Sequence, residues 1–475
     1  MSNAKPLRPT LAQRKALEKL WAFVDNEELS VFILKGYAGT GKTSLMKMFI
    51  TSLGEHGRKF VLLASTGRAA KILSDKTEVL ATTVHSQLYS FSGFNQDLDK
   101  MAEDNVIQSD DPFLLQFELK LFDDEAAGTV FIIDESSMIS DKPSVGSAQA
   151  EFGTGNLLQD LFRNTSVKFI FIGDECQLPP VNGSFSPALN KEYIEREYGL
   201  KADEFALTEI LRQSEGNDIV VAADRVRELY ANPPVLRWAR FPLKGYQNIQ
   251  IVRDVATLTA MYVADIKKNG YNASTLITGS NKLCASLAKT IRPALGFNSN
   301  TLERGELLLV TQNNLVSGLM NGDLVKVIQI GLQERRAGLT FIHVEIENIS
   351  NGHRFSQLLV KEVVDSAGLT NTTQEQHRAL YIDFTRRMAR RGVKTGSEAF
   401  VKETRRDPYL NALKAVYGYA LTCHKAQGGE WKRVYLNIPS YQAHQAQAAA
   451  YQWLYTALTR AVENLYVADD FFISY

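Results

Sequence analysis

The sequence predicts an α/β protein with two parallel-sheet domains, the first carrying a small insertion and the second a β-rich insertion. Short apolar strands alternate with helical patterns up to about residue 190, which is typical of a parallel sheet covered by helices. A second α/β pattern begins near Tyr193, and a strand-rich stretch over residues 306–410 interrupts it. A chain of 475 residues is also too long for one ordinary core.

Four strands define the first domain, which we predict to span residues 1–190. Each is apolar and ends in polar or glycine-rich residues; they are Val31–Leu34, Phe60–Ala64, Val130–Ile133 and Lys168–Ile172. Ligands collect where such parallel strands end. Over about residues 86–127 the pattern gives way to Phe-, Gly- and Asp-rich sequence, which indicates a small insertion or, alternatively, a mobile linker.

The second domain is predicted to comprise residues 191–305 and 411–475, with residues 306–410 inserted as a small β-barrel or β-sheet. Strands are expected there at Glu306–Thr311, Leu324–Ile330 and Phe341–Ile346. The insertion ends in a run of basic residues: Arg386, Arg387, Arg390, Arg391, Lys394, Lys402, Arg405 and Arg406. Such a run is either a solvated helix face or a surface that contacts phosphates.

Charge and cysteine content narrow the class of protein. Lys+Arg and Asp+Glu both number 53, so any nucleic-acid site must be a local groove rather than a basic surface. Cys176, Cys284 and Cys423 lack metal-ligand spacing, which fits a reducing cytoplasm and no structural zinc. We find neither an apolar run of the ~18 residues that a membrane span needs nor a signal peptide, so we expect a cytoplasmic protein without a membrane contact.

A phosphate-binding loop follows the first predicted strand. Residues 36–43, Gly-Tyr-Ala-Gly-Thr-Gly-Lys-Thr, fit G-x-x-x-x-G-K-[ST] and precede a helical stretch, which is the context that the pattern requires. The loop would turn its backbone N–H groups toward phosphates, which involves Gly36, Gly39, Thr40 and Gly41. Lys42 would reach the β- and γ-phosphates of ATP, and Thr43 would hold Mg²⁺.

Two further strand ends carry polar residues with a chemical use. One strand ends in Asp134 and Glu135, and burying two charges is costly unless they hold a cation or another partner. Asp134 would take Mg²⁺, directly or through water, and Glu135 would polarise the attacking water. After the next strand, Gln177 would orient water beside the γ-phosphate or report whether that phosphate is present.

An arginine far along the chain is predicted to complete this site. Residues 455–461, Tyr-Thr-Ala-Leu-Thr-Arg-Ala, lie about 420 positions after the loop and have no role inside a compact nucleotide fold. If Arg460 folds back onto the nucleotide, ATP sits between two domains and can pull them together.

The order of these motifs resembles that of superfamily-1B DNA helicases of the RecD/Dda type, over nearly the whole chain. The matching segments are residues 11–13, 64–70, 81–86, 134–138, 177–180, 211–213, 422–430 and 457–461. Asp-Glu-Ser-Ser-Met, Gln-Leu-Pro-Pro and Thr-Gly-Arg-Ala-Ala favour this branch over the UvrD/Rep group. The resemblance implies two RecA-like P-loop NTPase domains, with an SH3-like β-rich insertion in the second.

The resemblance also implies two sets of site residues. The ATP site would comprise Gln13, Gly36, Gly39, Thr40, Gly41, Lys42, Thr43, Asp134, Glu135, Gln177, Arg212, Gly428, Glu430 and Arg460. Gln13 would read adenine, Glu430 would meet the ribose, and Arg212 and Arg460 would neutralise charge at the γ-phosphate. Contacts to DNA phosphates would come from Thr66, Arg68, Thr83, His85, Thr422 and His424. Phe91 and Phe94 either form a tip that splits the duplex or pack a small core.

The implied function is that of a monomeric, Mg²⁺- and ATP-dependent DNA helicase. It would travel 5′ to 3′ on single-stranded DNA and unwind duplexes at single-strand/duplex junctions, compatibly with association with other DNA-repair, recombination or replication proteins. The direction of travel follows from the resemblance alone. A single-strand translocase or RNA-directed NTPase without unwinding stays open, as does a nucleotide-gated binding module. Intact Glu135, Gln177 and Arg460 argue against the module, since a switch could lose any of them.

Overall fold

The computed structural model describes residues 8–120, 122, 127–143, 149–181, 183–209, 217–445 and 447–475. Its helices are α1 (Leu11–Asp25), α2 (Lys42–Glu55), α3 (Gly67–Thr77), α4 (Val84–Leu88), α5 (Leu98–Asp104), α6 (Leu157–Phe162), α7 (Lys191–Tyr198), α8 (Ile219–Ala231), α9 (Val255–Asn269), α10 (Asn281–Leu295), α11 (Lys361–Val364), α12 (Gln374–Arg390), α13 (Glu398–Thr404), α14 (Cys423–Ala426), α15 (Ser440–Ala443) and α16 (Gln447–Leu458).

The strands are β1 (Val31–Gly36), β2 (Phe60–Ala64), β3 (Ala81–Thr83), β4 (Tyr89–Phe94), β5 (Leu115–Leu119), β6 (Val130–Asp134), β7 (Ala150–Phe152), β8 (Lys168–Gly173), β9 (Ala202–Leu207), β10 (Phe241–Pro242), β11 (Ile249–Val252), β12 (Ser274–Thr278), β13 (Leu307–Val310), β14 (Leu324–Arg336), β15 (Leu339–Asn348), β16 (Arg354–Val360), β17 (Ala415–Tyr417), β18 (Leu421–Thr422), β19 (Trp431–Leu436), β20 (Ala461–Ala468) and β21 (Ile473–Ser474). Among the described residues, no helix is both long and apolar enough to cross a bilayer.

The first sheet contains six parallel strands in the order β3-β2-β6-β8-β1-β9. Successive side chains of a strand point to opposite faces, so Phe32 and Leu34 pack under α1–α3 while Val31 and Ile33 pack under α4, α6 and α7. Helices on both faces explain why these strands are apolar without alternation. The sheet has the RecA-like, P-loop architecture that the sequence predicts.

This sheet continues past residue 190, where the sequence predicted the first domain to end. β9 pairs with β1, and α7 packs beneath the same sheet through Ile194, so no second α/β pattern begins at Tyr193. β9 lies at the sheet edge and only its end residues, Ala202 and Leu207, are buried, which makes it a weak signal in the sequence. We therefore propose a first domain that ends after Leu207.

The first insertion is a three-stranded sheet in which β4 and β5 form an antiparallel pair and β7 joins β5 in parallel. β7 follows β6 in the chain, so the insertion draws on residues beyond the predicted limit of 127. We therefore propose that the first insertion comprises about residues 86–120 together with the β7 segment.

The second parallel sheet has the order β11-β20-β19-β12-β18. Its core is shared with α8, α9, α10, α14 and α16, so segments before and after the second insertion build one hydrophobic unit. The chain thus leaves this sheet after α10 and returns to it at β18.

The second insertion is a five-stranded antiparallel sheet in the order β16-β15-β14-β13-β17. Its two edges approach each other: Val360 N donates to Leu413 O (3.0 Å) and Leu413 N donates to Leu358 O (2.7 Å). These bonds curl the sheet toward a barrel. Three helices, α11–α13, separate β16 from β17, in a stretch where the sequence indicated mainly strands.

The two insertions pack against each other, and we call this contact the clasp. The rings of Phe94 and Phe113 each lie 5.3 Å from that of Tyr381 on α12. Arg386 Nη2 donates to Ala102 O (2.6 Å) at the end of α5. Phe94 is therefore part of a small core, which favours the packing interpretation over a duplex-splitting tip for this residue.

The clasp should weaken in acid. The His377 ring lies 5.5 Å from that of Phe113, and burial, helped by the cation Lys414, lowers the pKa of His377 to about 3. In the unfolded chain the pKa of this histidine is ~6.5. Below that pH the unfolded chain binds a proton at His377, whereas the native protein keeps the imidazole neutral. Stability from this group is present above pH ~6.5 and is lost as the pH falls toward 3, by at most ~1.4 kcal/mol per pH unit.

We therefore expect His377→Gln to reduce the drop in melting temperature between about pH 7 and pH 5. His353→Gln, at an exposed position, is the matched control and should keep the wild-type pH dependence. Identical pH slopes for His377→Gln and wild type, measured by differential scanning fluorimetry, would contradict the assignment.

Candidate nucleotide and nucleic-acid site

The phosphate-binding loop connects β1 to α2. Gly39 (φ +84°) and Gly41 (φ +80°) adopt the left-handed conformation that glycine tolerates, and they turn the chain into the helix. Lys42 opens α2, and its Nζ donates to the carbonyl oxygens of Gly36 (2.6 Å) and Tyr37 (3.0 Å). The ammonium group therefore lies over the loop, held by neutral acceptors that an anion can replace.

Two half-buried carboxylates, Asp134 and Glu135, lie at the end of β6 beside this loop. Glu135 has φ +52°, a strained value for a residue with a side chain, and its N–H donates to Asp134 Oδ1 (2.9 Å). Burial raises the pKa of Asp134 and of Glu135, and the neighbouring Asp134 raises that of Glu135 further. The positive charges of Lys42 and Arg460 oppose that rise at Glu135. The pair thus lies in a charged, water-poor cleft.

Thr43 and Asp134 line the same cavity. A hydroxyl and a carboxylate are oxygen donors of the kind that Mg²⁺ prefers, and Asp134 is half-buried at the end of β6. These two residues therefore fit Mg²⁺ and would hold it, where it would neutralise phosphate charge.

Helix α16 of the second sheet region is hydrogen-bonded to two loops of the first. Tyr455 OH donates to Asp174 Oδ2 (2.7 Å) and accepts the N–H of Ala38 in the phosphate-binding loop (3.1 Å). Thr456 Oγ1 accepts the N–H of Leu178 (2.9 Å), next to the predicted water-orienting glutamine. Sequence reasoning missed Tyr455, although it lies in the 455–461 segment that the sequence singled out.

A cavity of about 650 Å³ opens between the two sheet regions. It brings together eleven of the predicted ATP-site residues: Gln13, Gly39, Gly41, Lys42, Thr43, Asp134, Glu135, Gln177, Gly428, Glu430 and Arg460. Two others are not among its lining: Gly36 accepts the Lys42 bond, and Thr40 Oγ1 donates to Tyr37 O (2.9 Å). Arg212 lies outside the described residues.

Arg460 is 4% exposed and is fixed by its own helix end. Its Nε donates to Thr456 O (3.0 Å), Nη2 to Thr459 Oγ1 (3.0 Å) and Nη1 to Gly429 O (3.4 Å). All three acceptors are neutral oxygens. The guanidinium charge is therefore available to an anion in the cavity that Lys42 also lines.

The Gln13 side chain is buried and is hydrogen-bonded to the phosphate-binding loop. Its Nε2 donates to Gly41 O (3.4 Å), while its Oε1 accepts the Thr10 N–H (3.0 Å) in the capping box that begins α1. The side chain thus ties the start of α1 to the start of α2.

The three threonines predicted to contact DNA share one local role. Thr66, Thr83 and Thr422 each precede a helix, and each hydroxyl accepts the backbone N–H three residues on, at 3.2, 3.2 and 3.3 Å. Desolvation lowers the pKa of the predicted histidines, His85 and His424, although His85 is exposed at the surface and His424 is half-buried. A lowered pKa disfavours the charged imidazolium, so contact with a phosphate would rest on an N–H hydrogen bond.

Arg68 is placed differently from the other predicted DNA residues. Its guanidinium carbon lies 4.8 Å above the Trp431 ring, and Nη1 donates to Gly322 O (3.3 Å) in the second insertion. Burial lowers the pKa of Arg68 to about 10. These contacts favour a role in joining α3 to the second sheet region and its insertion.

A second cavity, of about 440 Å³, lies between α10 and the second insertion. Thr422 lines it together with Lys425 and Lys289, two cations that sequence reasoning missed. Burial lowers the pKa of Lys425, whose position beside His424 in the 422–430 segment was the available signal. This cavity is a candidate groove for a nucleic-acid strand.

Two protein families match the two parts of the chain that line the cleft. The AAA domain family matches residues 10–232, and the UvrD-like helicase C-terminal domain family matches residues 417–468. The ATP-dependent RecD2 DNA helicase of Deinococcus radiodurans is 24% identical over 439 residues, covering 92% of this chain. These similarities support the resemblance to superfamily-1B helicases of the RecD type that the motifs indicate.

One further relative and one solved structure also resemble this chain. The uncharacterised protein MJ1519 of Methanocaldococcus jannaschii is 24% identical over 475 residues, covering 92% of this chain. The chain spans only 36% of MJ1519 and 47% of RecD2. A solved structure of the Bacteroides Pif1 helicase in complex with ADP-AlF3 and ssDNA is 16% identical, with a TM-score of 0.47 and coverage of 98% of this chain and 93% of that chain.

Tyr455→Phe should destabilise the protein. The substitution keeps the ring but leaves Asp174 and the Ala38 N–H without their shared partner in a buried setting, which costs about 1–3 kcal/mol. We expect a lower melting temperature for Tyr455→Phe and none of this loss for Tyr475→Phe, whose side chain is exposed. A Tyr455→Phe protein that melts with the wild type would contradict the role of this hydroxyl.

Proposed function

We propose that this protein is an ATP-dependent DNA helicase that travels 5′ to 3′ on single-stranded DNA and unwinds duplexes. The observation that carries the proposal is the shared cavity of Lys42 and Arg460, which come from opposite sheet regions. A nucleotide that contacts both residues draws the two regions together, and its hydrolysis releases them.

The residues of the cavity divide the chemistry among them. Lys42 exchanges its carbonyl partners for the β- and γ-phosphates, and Glu135 accepts a proton from the attacking water. Arg460 neutralises charge that develops on the transferred phosphoryl group. Gln177 orients the water, and its buried Oε1 has no hydrogen-bond partner among the described residues.

Helix α3 links the nucleotide to the strand in this proposal. Ala69 and Leu73 line the nucleotide cavity, while Thr66 caps the same helix at the predicted DNA contact. A shift of α3 on closure therefore moves the strand contact as well. The Deinococcus radiodurans relative is a DNA helicase, which favours DNA over RNA as the substrate. A monomeric state, Mg²⁺ dependence and a cytoplasmic location complete the proposal.

Arg460→Ala should lower ATP turnover by ~10³-fold or more while ATP affinity stays nearly unchanged, because the guanidinium acts on transition-state charge. Steady-state hydrolysis with single-stranded DNA, alongside binding of a fluorescent ATP analogue, separates the two quantities. Arg460→Lys keeps the positive charge and shows whether a folding defect causes the loss of turnover. Arg253→Ala, at a mostly exposed side chain, is the control. Equal losses of affinity and turnover would contradict the assignment.

Duplexes with a single 5′ or 3′ tail test direction and unwinding together. We expect ATP-driven strand separation of the 5′-tailed duplex only, and none with Lys42→Ala, which loses its phosphate contact. Hydrolysis stimulated by single-stranded DNA without separation of either duplex would instead favour the translocase. Preference for the 3′ tail would overturn the proposed direction.

A further inference from the structure

The segment that ends the second insertion concentrates positive charge. Residues 386–406 contain eight basic and two acidic residues, a net charge of +6, in a chain whose net charge is 0. These residues cover the end of α12, the following loop and all of α13. The sequence left open whether they form a solvated face or contact phosphates.

Three of the eight basic residues have side-chain partners within the fold, and a fourth lies beside an acidic helix. Arg386 donates to Ala102 O in the clasp, and Arg387 pairs with Asp383 and Asp407. Arg391 pairs with Glu403 (2.7 Å). Lys394 precedes Thr395, whose hydroxyl donates to Asp99 in the first insertion (2.6 Å), so it lies beside an acidic helix.

The other four basic residues are Arg390, Lys402, Arg405 and Arg406, which we call the basic face. All four are exposed, and within the described part of the chain none has a hydrogen-bonding or ion-pairing partner for its side chain. The Arg391–Glu403 and Arg387–Asp407 pairs join the end of α12 to the end of α13, which brings the segments that carry these four residues side by side. These pairs neutralise Glu403 and Asp407, and Glu398 is the one acidic residue of 386–406 outside them, so the basic face keeps a net positive charge.

The opposite side of these helices is fixed in place. Phe384 of α12 packs against Phe400 of α13 at 5.0 Å, and both join the clasp core with Phe113. The basic face is therefore held rigidly to the first insertion, whose β4–β5 hairpin lies on the same body. A rigid positive surface is suited to a stiff, regularly charged partner.

We propose that the basic face docks the phosphate backbone of duplex DNA at the junction. This inference rests on the proposed DNA helicase function and names a surface for its duplex substrate. Duplex DNA carries one negative charge per ≈1.7 Å, which four unpaired cations complement. No exposed aromatic side chain lies among these residues, so the face offers charge but no platform on which the bases of a single strand could stack.

The test removes charge from the face and measures binding to a blunt duplex. We expect Arg390→Gln/Arg405→Gln/Arg406→Gln to weaken binding and to reduce the slope of log K against log[salt] by about 2–3, close to 0.9 per lost phosphate contact. Fluorescence anisotropy between about 50 and 200 mM salt gives that slope. Lys267→Gln/Lys268→Gln/Arg304→Gln is the matched control, because it removes three exposed charges elsewhere and should keep the wild-type slope.

The outcomes separate this inference from the proposed function. An unchanged affinity and slope in the Arg390/Arg405/Arg406 variant would overturn the basic face even if wild-type protein unwinds DNA. An equal loss of affinity for a single strand would overturn the duplex assignment. If wild-type protein shows no hydrolysis stimulated by single-stranded DNA yet the variant loses duplex binding, the docking surface stands and the helicase proposal fails.

Discussion

The hydrogen bonds of α16 to the loops of the first sheet are the constraint on which the rest of the structure depends. Tyr455 supplies one hydroxyl to both the phosphate-binding loop and buried Asp174, and Thr456 adds a bond one residue on. Because these bonds cross between two parallel sheets, they set the width of the cavity between them. They also fix Arg460, five residues further along the same segment, within the lining of that cavity.

The charges that line this cavity suit a ligand that carries both negative and positive charge. Lys42 and Arg460 are held by neutral oxygens, while burial disfavours the ionised forms of Asp134 and Glu135. A bound triphosphate would satisfy the cations, and a divalent metal ion held by Asp134 would relieve the cost of its charge. Without a ligand, the two cations and the two carboxylates form no ion pair with another residue in the described part of the chain. This arrangement is suited to a cleft that closes on its substrate.

Features that depend on neighbouring residues in the chain could be predicted from the sequence. The phosphate-binding loop and the strands β1, β2, β6 and β8 are local patterns of glycine and apolar residues, and the structure has them where expected. β9 could not be placed, because only the two end residues of this edge strand are buried and its pairing with β1 is long-range. The sequence predicts a DNA contact for Arg68 and no role for Tyr455, since only tertiary packing reveals their partners. The roles of the site residues stay predictions.

We infer above all that one nucleotide contacts both sheet regions of this protein. The most direct measurement is an experimental structure of the protein with ADP and aluminium fluoride, which stands in for the transferred phosphoryl group. We expect Lys42 Nζ and the Arg460 guanidinium both within hydrogen-bonding distance of the fluoride atoms. Aluminium fluoride bound by the loop alone, with Arg460 still confined to its neutral acceptors, would contradict the claim.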